Sequence, residues 1–169
     1  RSTRHYIDKK VDKSLLDEML SAANLAPSWK NSQTPRFYVA TGEKSKNAVR
    51  EALPEFNRKN SENASAYIVT TVVLNRSGFD KDGTAVTEIG NGWGYYDLGL
   101  NNMALLLKTT ELGISTLVMG IRDGEKLRKE FDIPETEAVV SVIAVGYTDS
   151  EIVRPKRKSV EDFAKFYED

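Results

Sequence analysis

The sequence of 169 residues contains no cysteine and a single histidine, His5. Without cysteine the chain has no disulfides, thiolate metal sites, iron–sulfur clusters or cysteine nucleophiles. One histidine argues against a histidine-based zinc site and against a Ser-His-Asp triad. We therefore expect no metal site and no catalytic side chain of these kinds. If the chain is an enzyme, a bound cofactor must supply its chemistry.

The sequence also lacks an excess of charge of either sign and any long apolar run. Its 24 Lys and Arg against 25 Asp and Glu give a net charge of −1, whereas nucleic-acid binding requires a basic surface. No segment approaches the roughly 20 apolar residues of a membrane helix, and no secretory apolar segment is evident. We expect no nucleic-acid or membrane partner, a cytoplasmic location, and one domain spanning residues 1–169.

Apolar periodicity and helix- or strand-breaking residues predict nine elements along the chain. The predicted helices are 12–24, 44–53, 95–112, 124–131 and 159–167, and the predicted strands are 36–41, 67–74, 114–119 and 138–145. Because helices and strands intermix without regular βαβ alternation, we predict an α+β fold. The helix at 95–112 is apolar around most of its circumference, which indicates a subunit interface.

The segment 75–94 is polar and rich in glycine, and it is long enough to be a functional loop. Its Gly90-Asn91-Gly92-Trp93-Gly94 run does not have the G-x-G-x-x-G spacing of a dinucleotide-binding turn. We favour a mobile loop leading to aromatic side chains that stack on a planar substrate, Trp93 and Tyr95 first among them. The alternative is packing beneath the loop, which is equally favoured for Tyr96.

Basic, hydroxyl and amide residues cluster near both ends of the chain. Arg1, Ser2 and Arg4 offer fork-shaped donors and fixed positive charge, which suit a phosphate. A Pro-Ser turn followed by Asn31 and Gln33 suits a flat ring that forms hydrogen bonds. Together these residues suggest a phosphorylated heterocycle as ligand. The alternatives are a solvated terminus, an ordinary turn that ends a helix and a solvated basic tail at 154–158.

Four features of the chain together resemble the FMN-dependent nitroreductase family. They are Arg-Ser-Thr-Arg at 1–4, Ala-Pro-Ser-x-x-Asn-x-Gln at 26–33, a long helix ending at Gly113, and the basic segment after Val145-Gly146-Tyr147. The resemblance covers nearly the whole chain. It implies a mixed, mostly antiparallel sheet flanked by helices, in an entwined homodimer. In that family the long helix packs at the dimer interface and the C-terminal segment embraces the other subunit.

The resemblance also implies bound FMN and a role for each basic residue. Arg1 and Ser2 would contact the FMN phosphate and ribityl chain, and Arg4 would approach N1 and O2 of the isoalloxazine. A cation there would stabilise the negative charge of the reduced ring. The family closes the phosphate site with a late basic pair, for which Arg154 is the weakest match and the favoured residues are Lys156, Arg157 and Lys158.

Further residues would contact the ring. In the family the turn lines the flavin through Pro27, Ser28, Trp29 and Asn31. Asn57 is the best match for a contact to the pyrimidine edge, with a solvated helix face as the alternative, and either Lys59 or Asn60 takes a second role there. Met119 and Gly120 would offer a backbone amide to flavin N5. Many members carry an acidic residue where Met119 stands.

By resemblance, NADH or NADPH would deliver a hydride to flavin N5 and leave. A nitroaromatic, a quinone or a similar small acceptor would then be reduced in a ping-pong cycle that needs no side-chain acid or base. Dehalogenation, enone reduction and flavin destruction on the same fold are alternatives. A non-catalytic module that binds another phosphorylated ligand is an alternative from a different class. The acceptor and the choice between NADH and NADPH stay open.

Overall fold

The computed structural model describes residues 1–151 and 153–168. Its strands are β1 (Pro35–Ala40), β2 (Ala66–Val73), β3 (Ser115–Met119) and β4 (Glu137–Gly146). They form one sheet in the spatial order β1-β2-β4-β3, and all three neighbouring pairs are antiparallel. Together with the helices around this sheet, the arrangement confirms the predicted α+β class.

The helices are α1 (Lys13–Asn24), α2 (Glu43–Glu51), α3 (Glu55–Asn60), α4 (Gly92–Glu111), α5 (Gly124–Glu130) and α6 (Val160–Phe163), with a short 3-10 turn at Trp29–Asn31. Of the helices among residues 1–151 and 153–168, none has the length and apolarity that crossing a membrane would require. Apart from α3 and α6, the predicted boundaries agree with the observed ones to within three residues.

The two central strands, β2 and β4, carry the core on both of their faces. Side chains alternate between the faces of a strand, so Ile68 packs with Leu105 of α4 and with buried residues of α1 on one face. Val69 packs with buried residues of α2 and α5 on the other face. Burial on both faces explains why these strands read as continuous apolar and β-branched runs. Helices therefore flank both sides of the sheet.

Helix α4 begins at Gly92, three residues before the predicted start at 95. Gly94 allows the helix to lie close to β2, because a Cβ at this position would come within 2.8 Å of Val72 Cγ2. Glycine is a poor helix former, and for this reason the sequence pattern placed the start too late. Along the same helix, Met103 and Leu107 expose much of their apolar side chains to solvent.

The last helix is shorter than predicted. The capping box of Ser159 and Asp162 forms as expected, but the helix ends at Phe163, and Ala164 is extended with φ −122° and ψ 143°. A short helix requires tertiary packing to offset the cost of nucleation. Phe166 is 76 % exposed, so nothing within the described chain holds a longer helix in place. The predicted range 159–167 is therefore wrong beyond 163.

Candidate functional site

The N-terminal residues lie along the edge strand β3. Ser2 forms a parallel bridge with Thr116, and the Thr3 amide donates to the Thr116 carbonyl at 2.9 Å. Arg1 and Arg4 are exposed, and the Arg4 guanidinium donates to the Ser2 carbonyl at 3.4 Å. Two cationic side chains and a hydroxyl are thus held at one edge of the sheet.

Three further predicted residues meet at the end of the same strand. Met119 is the last residue of β3, and its buried side chain belongs to the core, so its main chain is the part available to a ligand. Gly120 follows, and a Cβ there would meet nothing within 4 Å. Asn57 of α3 is only 7 % exposed, and its Nδ2 donates to the Ile121 carbonyl at 3.2 Å.

Asn57 is therefore not part of a solvated helix face, although its neighbours Arg58 and Lys59 are exposed. Along β3, Thr116 and Met119 are three residues apart, or about 10 Å at the rise of a strand. We call the residues along this edge the β3 group: Arg1, Ser2, Arg4, Asn57, Met119 and Gly120. The basic groups lie at one end of this line and suit the anionic end of an elongated ligand. The open space beside Gly120 lies at the other end and suits a flat group.

The turn before β1 is tight and held by its own hydrogen bonds. Ser28 Oγ accepts the Gln33 amide at 3.0 Å, and Gln33 Nε2 donates to Asn31 Oδ1 at 3.1 Å. Lys30, Asn31 and Gln33 all have left-handed backbones, with φ of 47°, 55° and 48°. Three such residues other than glycine within four positions store backbone strain, which the surrounding structure must maintain.

A buried carboxylate on α4 supports this turn. Both oxygens of Asp97 lie 3.1 Å from the Trp29 amide nitrogen, and Ser77 Oγ also donates to this carboxylate. The side chain is 2 % exposed. Asp97 is not among the residues predicted from the sequence. The available signal was an acidic residue inside an otherwise apolar helix, because an acidic side chain is almost never fully buried unless it is paired.

Aromatic rings stack beside the turn. The Trp29 and Trp93 ring centroids are 4.6 Å apart at an angle of 46°, and Tyr96 meets Trp93 edge-on at 5.8 Å. The Trp93 indole donates to Thr87 Oγ1 at 2.7 Å, so this ring packs beneath the loop. Tyr95 is exposed. We call this second set the turn group: Pro27, Ser28, Trp29, Asn31, Trp93 and Tyr95.

The loop between β2 and α4 is closed at its base by a pair of asparagines. The Asn75 amide donates to Asn91 Oδ1 at 2.7 Å, and Asn91 Nδ2 donates to Asn75 Oδ1 at 3.0 Å. Gly92 and Gly94 lie in the first turn of α4, where Gly94 packs on β2. Gly94 therefore serves close packing, in agreement with the rejection of a dinucleotide-binding turn.

The two groups lie at opposite edges of the sheet. The turn group precedes β1 and the β3 group borders β3, with β2 and β4 between these strands. Three strand spacings correspond to about 14 Å, so one chain does not bring the two groups together. The predicted tail residues Lys156, Arg157 and Lys158 are exposed. Arg157 donates to the Pro155 carbonyl within its own segment, at 3.2 Å.

The model described as "Nitroreductase family" matches residues 1–147. The chain belongs to the Nitroreductase family. The chain is 27% identical over 158 residues to the Archaeoglobus fulgidus protein named "Putative NADH dehydrogenase/NAD(P)H nitroreductase". The match covers 89% of this chain and 82% of that protein. Membership of the family identifies the chain as an oxidoreductase and confirms the resemblance stated from its motifs.

Solved structures of family members share the fold of this chain. A Nitroreductase Family Protein from Streptococcus pneumoniae TIGR4 superposes with a TM-score of 0.85 at 22% identity, over 99% of this chain and 96% of that one. A "putative nitroreductase in complex with FMN" from Exiguobacterium sibiricum 255-15 gives a TM-score of 0.85 at 21% identity, over 99% and 93%. These likenesses confirm the predicted nitroreductase-like arrangement of an antiparallel sheet with flanking helices.

Proposed function

We propose that this nitroreductase binds FMN and uses NADH or NADPH to reduce a small acceptor, such as a nitroaromatic or a quinone. FMN, when bound, supplies the transfer of a hydride from the nicotinamide to the acceptor in a ping-pong cycle. The observation that carries the proposal is the complementary chemistry of the β3 group and the turn group. The family membership and the FMN named with the Exiguobacterium structure support it.

The residues of the β3 group fit the two ends of FMN. Arg1 and Ser2 supply donors for a phosphate. Arg4 supplies a cation where reduction would place negative charge. Open space beside Gly120 admits a flat ring against the backbone, as the absence of a side chain permits. Asn57 fixes the segment that follows Gly120 through its bond to Ile121 and would contact the pyrimidine edge.

The turn group supplies polar and aromatic contacts to the ring and to a flat acceptor. Among the described residues, Trp29 Nε1 and Ser32 Oγ are buried and have no hydrogen-bond partner in the chain. Buried donors of this kind are ordinarily paired, so a ligand held against the turn is a suitable partner for them. Asn31 adds an amide at the same turn. The exposed ring of Tyr95 would form the aromatic side of the acceptor pocket, where flat rings stack, and Trp93, packed beneath the loop, would support Trp29 there.

A homodimer would join the two groups. Met103 and Leu107 of α4 are exposed, as are three aromatic residues of the C-terminal segment, Phe163, Phe166 and Tyr167. Exposed apolar residues of this number mark an interaction surface. In a symmetric pair, the turn group of one copy would face the β3 group of the other. The tail of the partner would bring Lys156, Arg157 and Lys158 to the phosphate. The cytoplasm stays the predicted location.

A visible absorption spectrum of the purified protein tests the proposal, recorded before and after anaerobic addition of NADH or NADPH. We expect flavin bands that bleach with at least one donor and return when a quinone or nitroaromatic is added. Bands that bleach but do not return with these acceptors would direct the search to other reductions. A colourless protein that takes up no added FMN would contradict the proposal.

A further inference from the structure

We infer that Asp97 is a positioning residue: by joining three separate segments of the chain, it fixes the conformation of the turn group. The carboxylate of α4 accepts the Trp29 amide and the Ser77 hydroxyl. The turn, the loop between β2 and α4, and the helix itself therefore meet at one buried group. The inference rests on the proposed function only where it concerns FMN.

The position of Trp29 explains why a carboxylate is needed. Trp29 begins the 3-10 turn, where the amide has no partner within the turn itself, and the Ser28 side chain does not cap it. Asp97 supplies the missing acceptor from 68 positions away in the sequence. A buried carboxylate costs free energy unless it is hydrogen-bonded, and the two donors it receives meet that requirement with charge-assisted bonds.

A substitution of Asp97 should alter the positions of the turn residues that would contact the ligand. Immediately after Trp29 come the left-handed residues Lys30 and Asn31. A strained conformation of this kind persists only while its surroundings hold it. Without the charge of the carboxylate, the amide of Trp29 would keep at most one neutral acceptor oxygen in place of two charged ones, and the turn would relax. The Trp29 ring would then move relative to Trp93, and the amide of Asn31 would leave its position.

The chain contains two tryptophans, Trp29 and Trp93, so tryptophan emission and near-ultraviolet circular dichroism report on this site. We compare Asp97→Asn with Asp123→Asn in the full chain freed of flavin. Asp123 accepts the Lys126 amide at 3.1 Å at the start of α5, so the control removes the charge of a carboxylate that accepts an amide elsewhere. We expect altered tryptophan signals in Asp97→Asn and none in Asp123→Asn.

FMN titration provides the second measurement. Loss of a buried charged acceptor should raise the Kd for FMN about 10-fold or more in Asp97→Asn, with Asp123→Asn unchanged. An Asp97→Asn variant that melts earlier but keeps the tryptophan signals and the FMN Kd of the natural chain would overturn the inference, because Asp97 would then be purely structural.

A second variant covers the case in which Asp97→Asn does not fold. Ser77→Ala removes one donor and keeps the carboxylate, and it should change the tryptophan signals in the same direction by a smaller amount. Unchanged signals in Ser77→Ala would then overturn the coupling. If the natural chain binds no FMN, the proposed function fails on its own, while the tryptophan signals of these variants still decide the role of Asp97.

Discussion

Gly78 lies directly against Trp93, so closely that a Cβ at position 78 would sit 2.6 Å from Trp93 Cδ1 and 2.7 Å from the Gly90 carbonyl oxygen. Gly78 also has a φ of +85°, a left-handed conformation that disfavours other residues. The loop between β2 and α4 therefore closes over the Trp93 ring only because this position has no side chain.

Gly78→Ala should accordingly destabilise the protein by about 1–3 kcal/mol, through overpacking and backbone strain together, and should change tryptophan emission. Gly83→Ala is the matched control, because Gly83 has the same φ of +85° but no atom within 4 Å of its added Cβ. The control should lose about 1 kcal/mol from strain alone, with unchanged emission. Urea unfolding followed by fluorescence measures both effects, and equal losses in the two variants would contradict the packing argument.

Gly94→Ala should destabilise the contact between α4 and β2. Its Cβ would meet Val72 Cγ2 at 2.8 Å inside the core, and overpacking of this kind costs about 1–3 kcal/mol. Gly124→Ala in the first turn of α5 is the control, since the nearest atom to its Cβ is 3.8 Å away. We expect no loss in the control, measured by denaturant unfolding. A Gly94→Ala chain as stable as the natural one would show that α4 can move away without cost.

Asn57→Leu should weaken FMN binding. The substitution keeps the approximate volume but removes the donor that holds the Ile121 carbonyl at 3.2 Å, and the loss of a hydrogen bond of this kind costs about 0.5–1.5 kcal/mol. The Kd for FMN should therefore rise by up to about 10-fold. Arg58→Leu changes an exposed residue of the same helix and should leave the Kd near its natural value. Titration by flavin fluorescence measures both, and an unchanged Kd in Asn57→Leu would remove Asn57 from the site.

Stability should fall at alkaline pH. Burial raises the pKa of the Tyr6 phenol above its ordinary value of 10.0, with a smaller contribution from Tyr67. The folded state then holds the Tyr6 proton where the unfolded chain releases it. The free energy of unfolding is therefore unaffected by this group below a pH of about 10 and decreases above it. Tyr6→Phe should flatten the decrease, whereas Tyr167→Phe, at an exposed ring, should not. A fall of equal slope in Tyr6→Phe would contradict the assignment.

Leu107→Glu should convert a dimer to monomers and release flavin. Leu107 is 60 % exposed in the single chain, and a charge in an apolar interface would be left desolvated and unpaired. Leu107→Met keeps an apolar side chain of similar volume and should remain dimeric. Light scattering gives the mass of each variant. A monomeric natural chain would contradict the dimer, and a Leu107→Glu dimer with full flavin content would place the interface elsewhere.

The sequence pattern predicted the elements whose own residues have a clear apolar pattern. The apolar, β-branched runs of β2 and β4 and the long apolar stretch of α4 each lie close to the predicted position. Helix α3 was missed because only Asn57 of its six residues is buried, which leaves no apolar stripe to detect. Helix α6 was predicted to be longer than it is, because the apolar residues that follow Phe163 have no packing partner within the described chain.

The candidate site was harder to predict, because it depends on contacts between distant parts of the chain. The turn motif predicted a ligand-binding segment, but the support of that turn by Asp97 is a tertiary contact that no local pattern reveals. The separation of the β3 group from the turn group follows from the strand order. The order in which strands pair in space is not determined by their order along the chain.

Subunit complementation tests the central claim that FMN binds between the β3 group of one copy and the turn group of another. Arg4→Ala and Asn31→Ala chains with different affinity tags are mixed, unfolded and refolded together, and the mixed dimers are isolated through both tags. Each variant alone should bind FMN weakly. The mixed dimer should bind one FMN with the affinity of the natural protein, since one of its two sites contains neither substitution. Mixed dimers that bind no more FMN than either variant alone would contradict the shared site.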